Sequence, residues 1–480
     1  VRWLACLAPP PRRTSRKPRP INQLNLSYPL SLRVLTVYQE IDELVDDWQP
    51  TPLIADLSHL ERETLESVPV VYGQNGTHSK LSPTGKPVVN MAIYDWLGFV
   101  EDDRLKDTAI NTLREYGVGS CGPMGFYGTI DMHTKFEQDV SDFLDTESAI
   151  IYAQAFSSVS SVIPAFAKRG DIIIADRGIN FAIHKGLELS RSTVRWYAHN
   201  DMQDLERVLG TVDREIRRKG SKLTKRFIVT EGVFENDGMM TDLPKIQELK
   251  RKYKYRLILD ESMSFGMVGQ HGRGVTEHYG IPASEVEILV GSMANSLGAA
   301  GGFCAGSANV TAHQRINSAA SVFSAALSAM HATVSSAAVK IMEAEPQLII
   351  KLRDNIEAFR SQLDKLEATF SPSPSPDGST PANKDALISI PSHRESALIH
   401  VFLTNPPSTL PEEEALLQEV VDEALANGLL VTRARRLRGQ EAEDPEPSLK
   451  VCVSAGFSRK EMEKAGKTLR DAIVKVCGSE

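Results

Sequence analysis

The chain has 480 residues, enough for about three average domains, or fewer where α/β units run large. Hydrophobic residues make up 41% and charged residues 24%, which describes an ordinary globular protein. A net charge of −8 argues against nucleic acid as the main partner, and five cysteines without paired metal spacing fit a reducing compartment and no metal site.

Residues 1–37 read as a disordered or mis-assigned arm that contains the basic, proline-rich PPPRRTSRKPRP, and the chain opens on Val1 rather than Met, as a fragment or an edited gene would. Residues 38–88 read as a helical arm, with Ile41, Leu44, Val45 and Trp48 sharing one face until Pro50 and Pro52 stop the helix. A turn at Leu81 to Pro87 precedes a strand at Val88 to Ile93. No apolar run approaches the roughly 18 to 20 residues that cross a bilayer.

Residues 89–325 alternate strand and helix. Met132, Phe136, Val140, Phe143 and Leu144 have helical spacing, and Ala149 to Tyr152 follows as a strand. Next come a helix at Val159 to Ala167 and strands at Asp171 to Ala175, Val194 to Tyr197, Arg226 to Thr230 and Tyr255 to Leu259, with helices at Met202 to Leu209 and Leu243 to Lys252. Such alternation implies an α/β fold whose sheet is mainly parallel, with helices on both faces. Residues 326–480 read as linking helices (Ala325 to Lys340, Ile349 to Phe370) and a smaller C-terminal α/β domain. Its strands fall at Ala397 to Leu403 and Leu449 to Val453, and its helices at Glu412 to Ala426 and Arg459 to Val476. Ser371 to Asn383 is low-complexity, Gly439 to Pro447 is an acidic loop, and no internal repeat is present.

Glu287 to Gly306, EILVGSMANSLGAAGGFCAG, organises the chain: a short apolar strand runs into a small-residue loop that lets backbone approach a bound group closely. Its layout resembles the lysine loop of fold-type I pyridoxal-phosphate enzymes, Gly-Ser/Thr-x-x-Lys-x-x-Gly followed by Gly-Gly. Gly291, Ser292, Gly298, Gly301 and Gly302 keep that frame, while Asn295 takes the lysine position. An amide forms no Schiff base. Asp260 closes the apolar run LILD, where a carboxylate either holds a ring nitrogen or caps a turn.

Asp260 to Gly274, DESMSFGMVGQHGRG, resembles the Asp-Glu-Ala-His-Ser-x-Gly…Gly-x-x-Gly-Arg-Gly signature of the α-oxoamine synthases, which condense an amino acid with an acyl-CoA. YAHNDMQDLERVL, VTEGVFENDG and IADRGINFAIHKG match further, and the similarity runs from about Tyr38 to Val476. The resemblance implies a fold-type I, aminotransferase-like transferase. It also implies that Met263 replaces the histidine that bonds the cofactor's ring hydroxyl, Asn180 the histidine that stacks on the ring, and Ala294 the usual Ser or Thr. Asp260 alone survives, as a vestigial cofactor contact, and no catalytic residue remains on this chain. Ser157 and Ser158 are phosphate donors or simple helix caps, and Lys450 and Ser448 fall where the family has an Arg-Leu-Arg run. His133 and His184 sit on predicted helices as polar or interface positions rather than bases.

Within the family this combination is similar to a non-catalytic subunit, with pyridoxal phosphate held by a partner's lysine. REYGVGSCGPMGFYGTIDMH carries that likeness, and implies that Gly119, Ser120, Cys121, Gly122, Pro123, Gly125, Phe126 and Tyr127 line the partner's site. The partners so implied are a lysine-bearing catalytic subunit, small activating and regulatory membrane subunits, and the amino acid and acyl-CoA at the shared site, on the cytosolic face of the endoplasmic reticulum membrane. Two other readings stay open: a homodimeric synthase with a displaced lysine such as Lys254 or Lys185, or a scaffold that contributes to no active site.

Overall fold

The computed structural model describes residues 68–478 except 82–84, 86, 221–223, 365 and 367–385, together with scattered positions between 41 and 66. The arm at 1–37, Leu44 and the Ser371 to Asn383 segment lie outside the described residues. Contacts cluster into two compact units, residues 1–68 and 69–480. In the first, helix His59–Glu66 starts at a reciprocal cap: the Glu61 carboxylate accepts from the Ser58 N–H at 2.7 Å and the Ser58 hydroxyl accepts from the Glu61 N–H at 3.3 Å.

The second unit begins with β1 (His78–Lys80) and β2 (Pro87–Asn90). A large sheet is then built from β3 (Ser148–Tyr152), β4 (Ile172–Asp176), β5 (Thr193–Tyr197), β6 (Arg226–Glu231), β7 (Arg256–Asp260), β8 (Ile288–Ser292) and β9 (Gly302–Gly306). Its spatial order is β3-β9-β8-β7-β6-β4-β5; β9 runs antiparallel to both neighbours and the remaining pairs are parallel.

Alternating side chains bury both faces. Ala149, Ile151, Leu257, Leu259 and Leu289 enter one core, while Ile150, Tyr152, Ile258, Ile288 and Val290 enter the other. Each aliphatic side chain so buried contributes roughly 1.5–3 kcal/mol relative to exposure. Helices Asp131–Leu144 and Leu243–Tyr253 supply the first core, and Ala155–Phe166 and Phe181–Ser190 the second.

A smaller four-stranded sheet, ordered β10-β11-β14-β13, follows from β10 (Ile388–Ser389), β11 (Leu398–Leu403), β13 (Thr432–Arg433) and β14 (Leu449–Cys452). β12 (Leu429–Leu430) pairs instead with β2, so residues 87–90 are carried by the C-terminal part of the chain.

Several boundaries differ from the sequence expectation. The strand expected to reach Ile93 ends at Asn90, whose side-chain oxygen accepts from the Ala92 N–H at 3.1 Å and turns the backbone. The helix expected at Val159 begins at Ala155, and the one expected at Ala325 runs Ala329–Ala344. The helix expected to continue to Phe370 runs Gln347–Arg360, where the Arg360 guanidinium turns to the carbonyls of Ser392 (2.6 Å) and His393 (3.1 Å).

Candidate active site

The C-terminal ends of β4, β6 and β7, and the loop after β8, meet above the large sheet, where open α/β sheets bind ligands. Glu231 and Asp260 end adjacent strands as register partners, and both are almost fully buried. Asn180 bridges them. Its backbone N–H donates to Glu231 Oε1 at 2.6 Å and its Nδ2 to Asp260 Oδ2 at 3.1 Å. The Asn180 Oδ1 accepts from the Ile183 N–H at 3.1 Å, capping helix Phe181–Ser190.

The second Asp260 oxygen accepts from the Ser262 N–H at 2.9 Å. Burial raises the Asp260 pKa against these bonds. Burial, then the neighbouring Asp260 and Glu235 charges, holds Glu231 well above the carboxylate range. Each carboxyl of the pair therefore holds its proton more tightly than an isolated carboxyl does.

Asn295 lies across from them. Its Nδ2 donates to the Ser262 carbonyl at 2.9 Å and lies 3.5 Å from Met263 Sδ, while its own carbonyl accepts from the Trp96 N–H at 3.2 Å. The structure thus brings Asn180, Asp260, Met263 and Asn295 together through direct contacts or shared partners, from segments far apart in sequence.

Ser157 and Ser158 spend their hydroxyls on their own helix: Ser157 reaches the Gln154 side chain at 3.1 Å and Ser158 the Gln154 carbonyl at 2.9 Å. Gly302 packs directly on Ser158, for a Cβ there would fall 2.3 Å from the Ser158 hydroxyl. His133 is a strut between Leu327 O (2.6 Å) and the Ile130 N–H (3.2 Å). His184 stacks on Trp196 at 5.1 Å, and burial lowers its pKa to about 4. Ser448 bonds His400 Nδ1 at 2.9 Å.

Sequence reasoning passes over Glu231, Glu235 and Tyr94. Glu231 ends the apolar run FIVT as Asp260 ends LIL, so the same signal was available. Glu235 donates its N–H to Glu231 at 3.0 Å and receives Lys450 Nζ at 3.4 Å; that ammonium lies 4.7 Å from the Tyr94 ring centroid. Lys185 pairs with Glu188 at 3.1 Å. Lys254 stands before the first residue of β7 while Asp260 is its last, a span of roughly 20 Å at strand rise.

The glycine-rich segment is a separate surface feature. Pro123 O accepts the N–H groups of Phe126 and Gly128, each at 2.9 Å, closing a single wide turn over Met124–Gly128. A Cβ on Gly128 would lie 1.9 Å from Gly122 O, so this closure requires glycine. Ser120 Oγ donates to Ala326 O at 2.7 Å, and Gly122 O accepts from the Ala326 N–H at 2.8 Å. Cys121 (φ 55°) and Tyr127 (φ 58°) adopt the left-handed conformation without being glycine. Tyr127 is 98% exposed, Phe126 71%, and Val118 and Phe323 84% each. Gly119, Cys121 and Gly125 are exposed too, with Ser120, Gly122 and Pro123 half-buried.

Residues 86–469 match the family "Aminotransferase class I and II". Over 445 residues the chain is 38% identical to serine palmitoyltransferase 1 of Dictyostelium discoideum, covering 92% of this chain and 87% of the relative. It is 36% identical to long chain base biosynthesis protein 1 of Arabidopsis thaliana, covering 92% and 86%. Among solved structures, a Sphingomonas wittichii serine palmitoyltransferase superposes with a TM-score of 0.73 at 21% identity, over 94% of this chain and 99% of that one. A serine palmitoyltransferase carrying a pyridoxal-phosphate internal aldimine superposes at 0.72 and 20% identity, over 94% and 100%. Coverage of this extent, on a sheet of this order, places the chain in the class I and II aminotransferase family and, within it, among the α-oxoamine synthases beside the serine palmitoyltransferase 1 proteins.

Proposed function

We propose that this chain is the non-catalytic subunit of a serine palmitoyltransferase, which condenses L-serine with palmitoyl-CoA to 3-ketodihydrosphingosine. The observation that carries the reading is the loop after β8: no lysine occurs from residue 255 to 306, and Asn295 stands where the family resemblance puts the Schiff-base lysine. The surroundings agree. Both Asp260 oxygens are engaged by Asn180 and Ser262, Met263 offers a thioether to Asn295, and Gly302 is covered by Ser158. These residues do not fit covalently held pyridoxal phosphate. The cofactor would be held by the lysine of long-chain-base subunit 2, the catalytic partner, and Gly119 to Tyr127 would wall that partner's site.

A displaced lysine is disfavoured, because Lys254 lies at the wrong end of β7 and Lys185 is paired with Glu188. Among the described residues no helix is long and apolar enough to cross a membrane. Placement at the endoplasmic reticulum would come through partners, the small activating and regulatory membrane subunits included, or through an N-terminal helix outside the given sequence. Mixing the purified chain with pyridoxal phosphate and reducing with borohydride should leave no lysine adduct, whereas the co-expressed catalytic subunit should carry one. A stoichiometric adduct at any one lysine of this chain would overturn the assignment.

A further inference from the structure

A cavity of about 590 Å3 is lined in part by Arg177 and Gly178, which precede Asn180 of the Asp260 cluster in sequence. Asn236 lines it too, its Nδ2 donating to Gly178 O at 3.1 Å and to Glu441 at 3.3 Å. The remaining wall comes from β11, through Phe402 and Leu403, and from the acidic loop, through Glu443, Asp444, Pro445 and Glu446. The volume lies within the range of small-molecule sites.

The charges lining this cavity are unequal. His199 is held between Asp176 (2.7 Å) and Asp237 (2.8 Å), so its cation is already over-matched. Asp444 accepts from the Gly439 N–H at 2.8 Å. Glu443 and Glu446 are exposed and have no ion-pair or hydrogen-bond partner among the described residues, and Arg177 has no ion-pair partner among them. Carboxylates thus outnumber cations over an apolar floor, which repels an acyl-CoA or a phosphate. An inorganic cation fits poorly as well, since the described residues form no metal-holding group.

We propose that this cavity binds an amphipathic primary amine, its ammonium at Glu443 and Glu446 and its chain against Phe402 and Leu403. Arg177 can donate to a hydroxyl or carbonyl oxygen beside the amine. Under the function proposed above, the long-chain amino ketone made in the partner's site belongs to this class; that clause alone rests on the subunit reading.

The test is calorimetric titration of the full chain with dodecylamine below its aggregation concentration, with dodecanol and dodecanoate as neutral and anionic controls. Saturable single-site binding of the amine is expected, about tenfold tighter than either control. The Glu443→Gln/Glu446→Gln variant should bind the amine about tenfold more weakly and dodecanol unchanged; both side chains are exposed, so its thermal unfolding should match that of the parent. Absence of saturable binding, equal binding of dodecanoate, or unchanged amine binding by the variant would each overturn the proposal. No catalysis is measured, so such a failure leaves the subunit assignment standing.

Discussion

Asn180 spends both ends of its side chain inside the protein. Its oxygen is committed to the Ile183 N–H and its nitrogen to Asp260, so neither is free for a ligand ring. Asn295→Lys should therefore fail to restore cofactor attachment, because the new ammonium meets the Ser262 carbonyl and Met263 while Asp260 stays bonded to Asn180. Borohydride reduction of that variant with pyridoxal phosphate should give no stoichiometric adduct at residue 295, and a full adduct would show that the pocket is open. Glu261 offers a second test. It is buried and accepts from the Ser264 hydroxyl and from the N–H groups of Val275 (3.1 Å) and Thr276 (3.4 Å). Burial raises its pKa from 4.5 to about 7 despite those bonds. The folded state thus holds this proton more tightly than the unfolded one, so the stabilisation is complete below pH 4.5 and lost as pH rises to about 7. Its size is on the order of 3 kcal/mol. Glu261→Gln should flatten the pH dependence of the urea midpoint across that window, and an unchanged slope would assign the effect to other groups.

The loop between helix Asp103–Tyr116 and helix Asp131–Leu144 has little regular structure yet behaves as one element, closed by Pro123 O and tied to Ala326. Its left-handed Cys121 stores strain of roughly 1–2 kcal/mol. Cys121→Gly should raise the stability of the isolated chain by about 1 kcal/mol, read by chemical denaturation. Cys121→Trp should change it by less than about 0.5 kcal/mol, since the side chain is exposed. The same tryptophan, placed against a partner's reacting groups, should lower product formation about a hundredfold in the co-expressed complex, with Cys121→Ser mild in both assays. Collapse of the isolated Trp variant would make the loop core rather than interface. At this scale the sequence was readable wherever an apolar run marked a strand, as in β3, β6, β7 and β8. β9 does not read as a strand from sequence, because its residues, GFCAG, are locally loop-like and pair only because β3 and β8 flank them. The cluster followed the same division. Asp260, Met263, Asn180 and Asn295 came from motif resemblance, and Asp260 also from its strand-end position. Tyr94, Glu235 and Lys450 converge from three distant segments, a meeting that no local pattern encodes.

On the scale of the whole molecule, the two cores bury the sheet's aliphatic faces while Val118, Phe126, Tyr127 and Phe323 stay exposed. These four belong to one surface, because Ser120 and Gly122 both bond Ala326, three residues beyond Phe323. Exposed aromatics held on a strained, self-closed loop are costly to an isolated chain, and contiguous apolar patches of this kind mark association sites. Their burial against the catalytic subunit would remove that cost and supply the central aromatic anchors that dominate binding energy, each worth about 2 kcal/mol or more. Tyr127→Asp combined with Phe323→Asp should therefore leave the isolated chain's unfolding midpoint nearly unchanged, since both charges face water. Co-purification of the catalytic subunit should fall at least about thirtyfold, the ratio that corresponds to one such anchor. The decisive comparison is between assembly and stability in the same pair of samples. Normal assembly by the variant would move the shared site to another face, whereas joint loss of assembly and folding would mean that these aromatics support the chain itself.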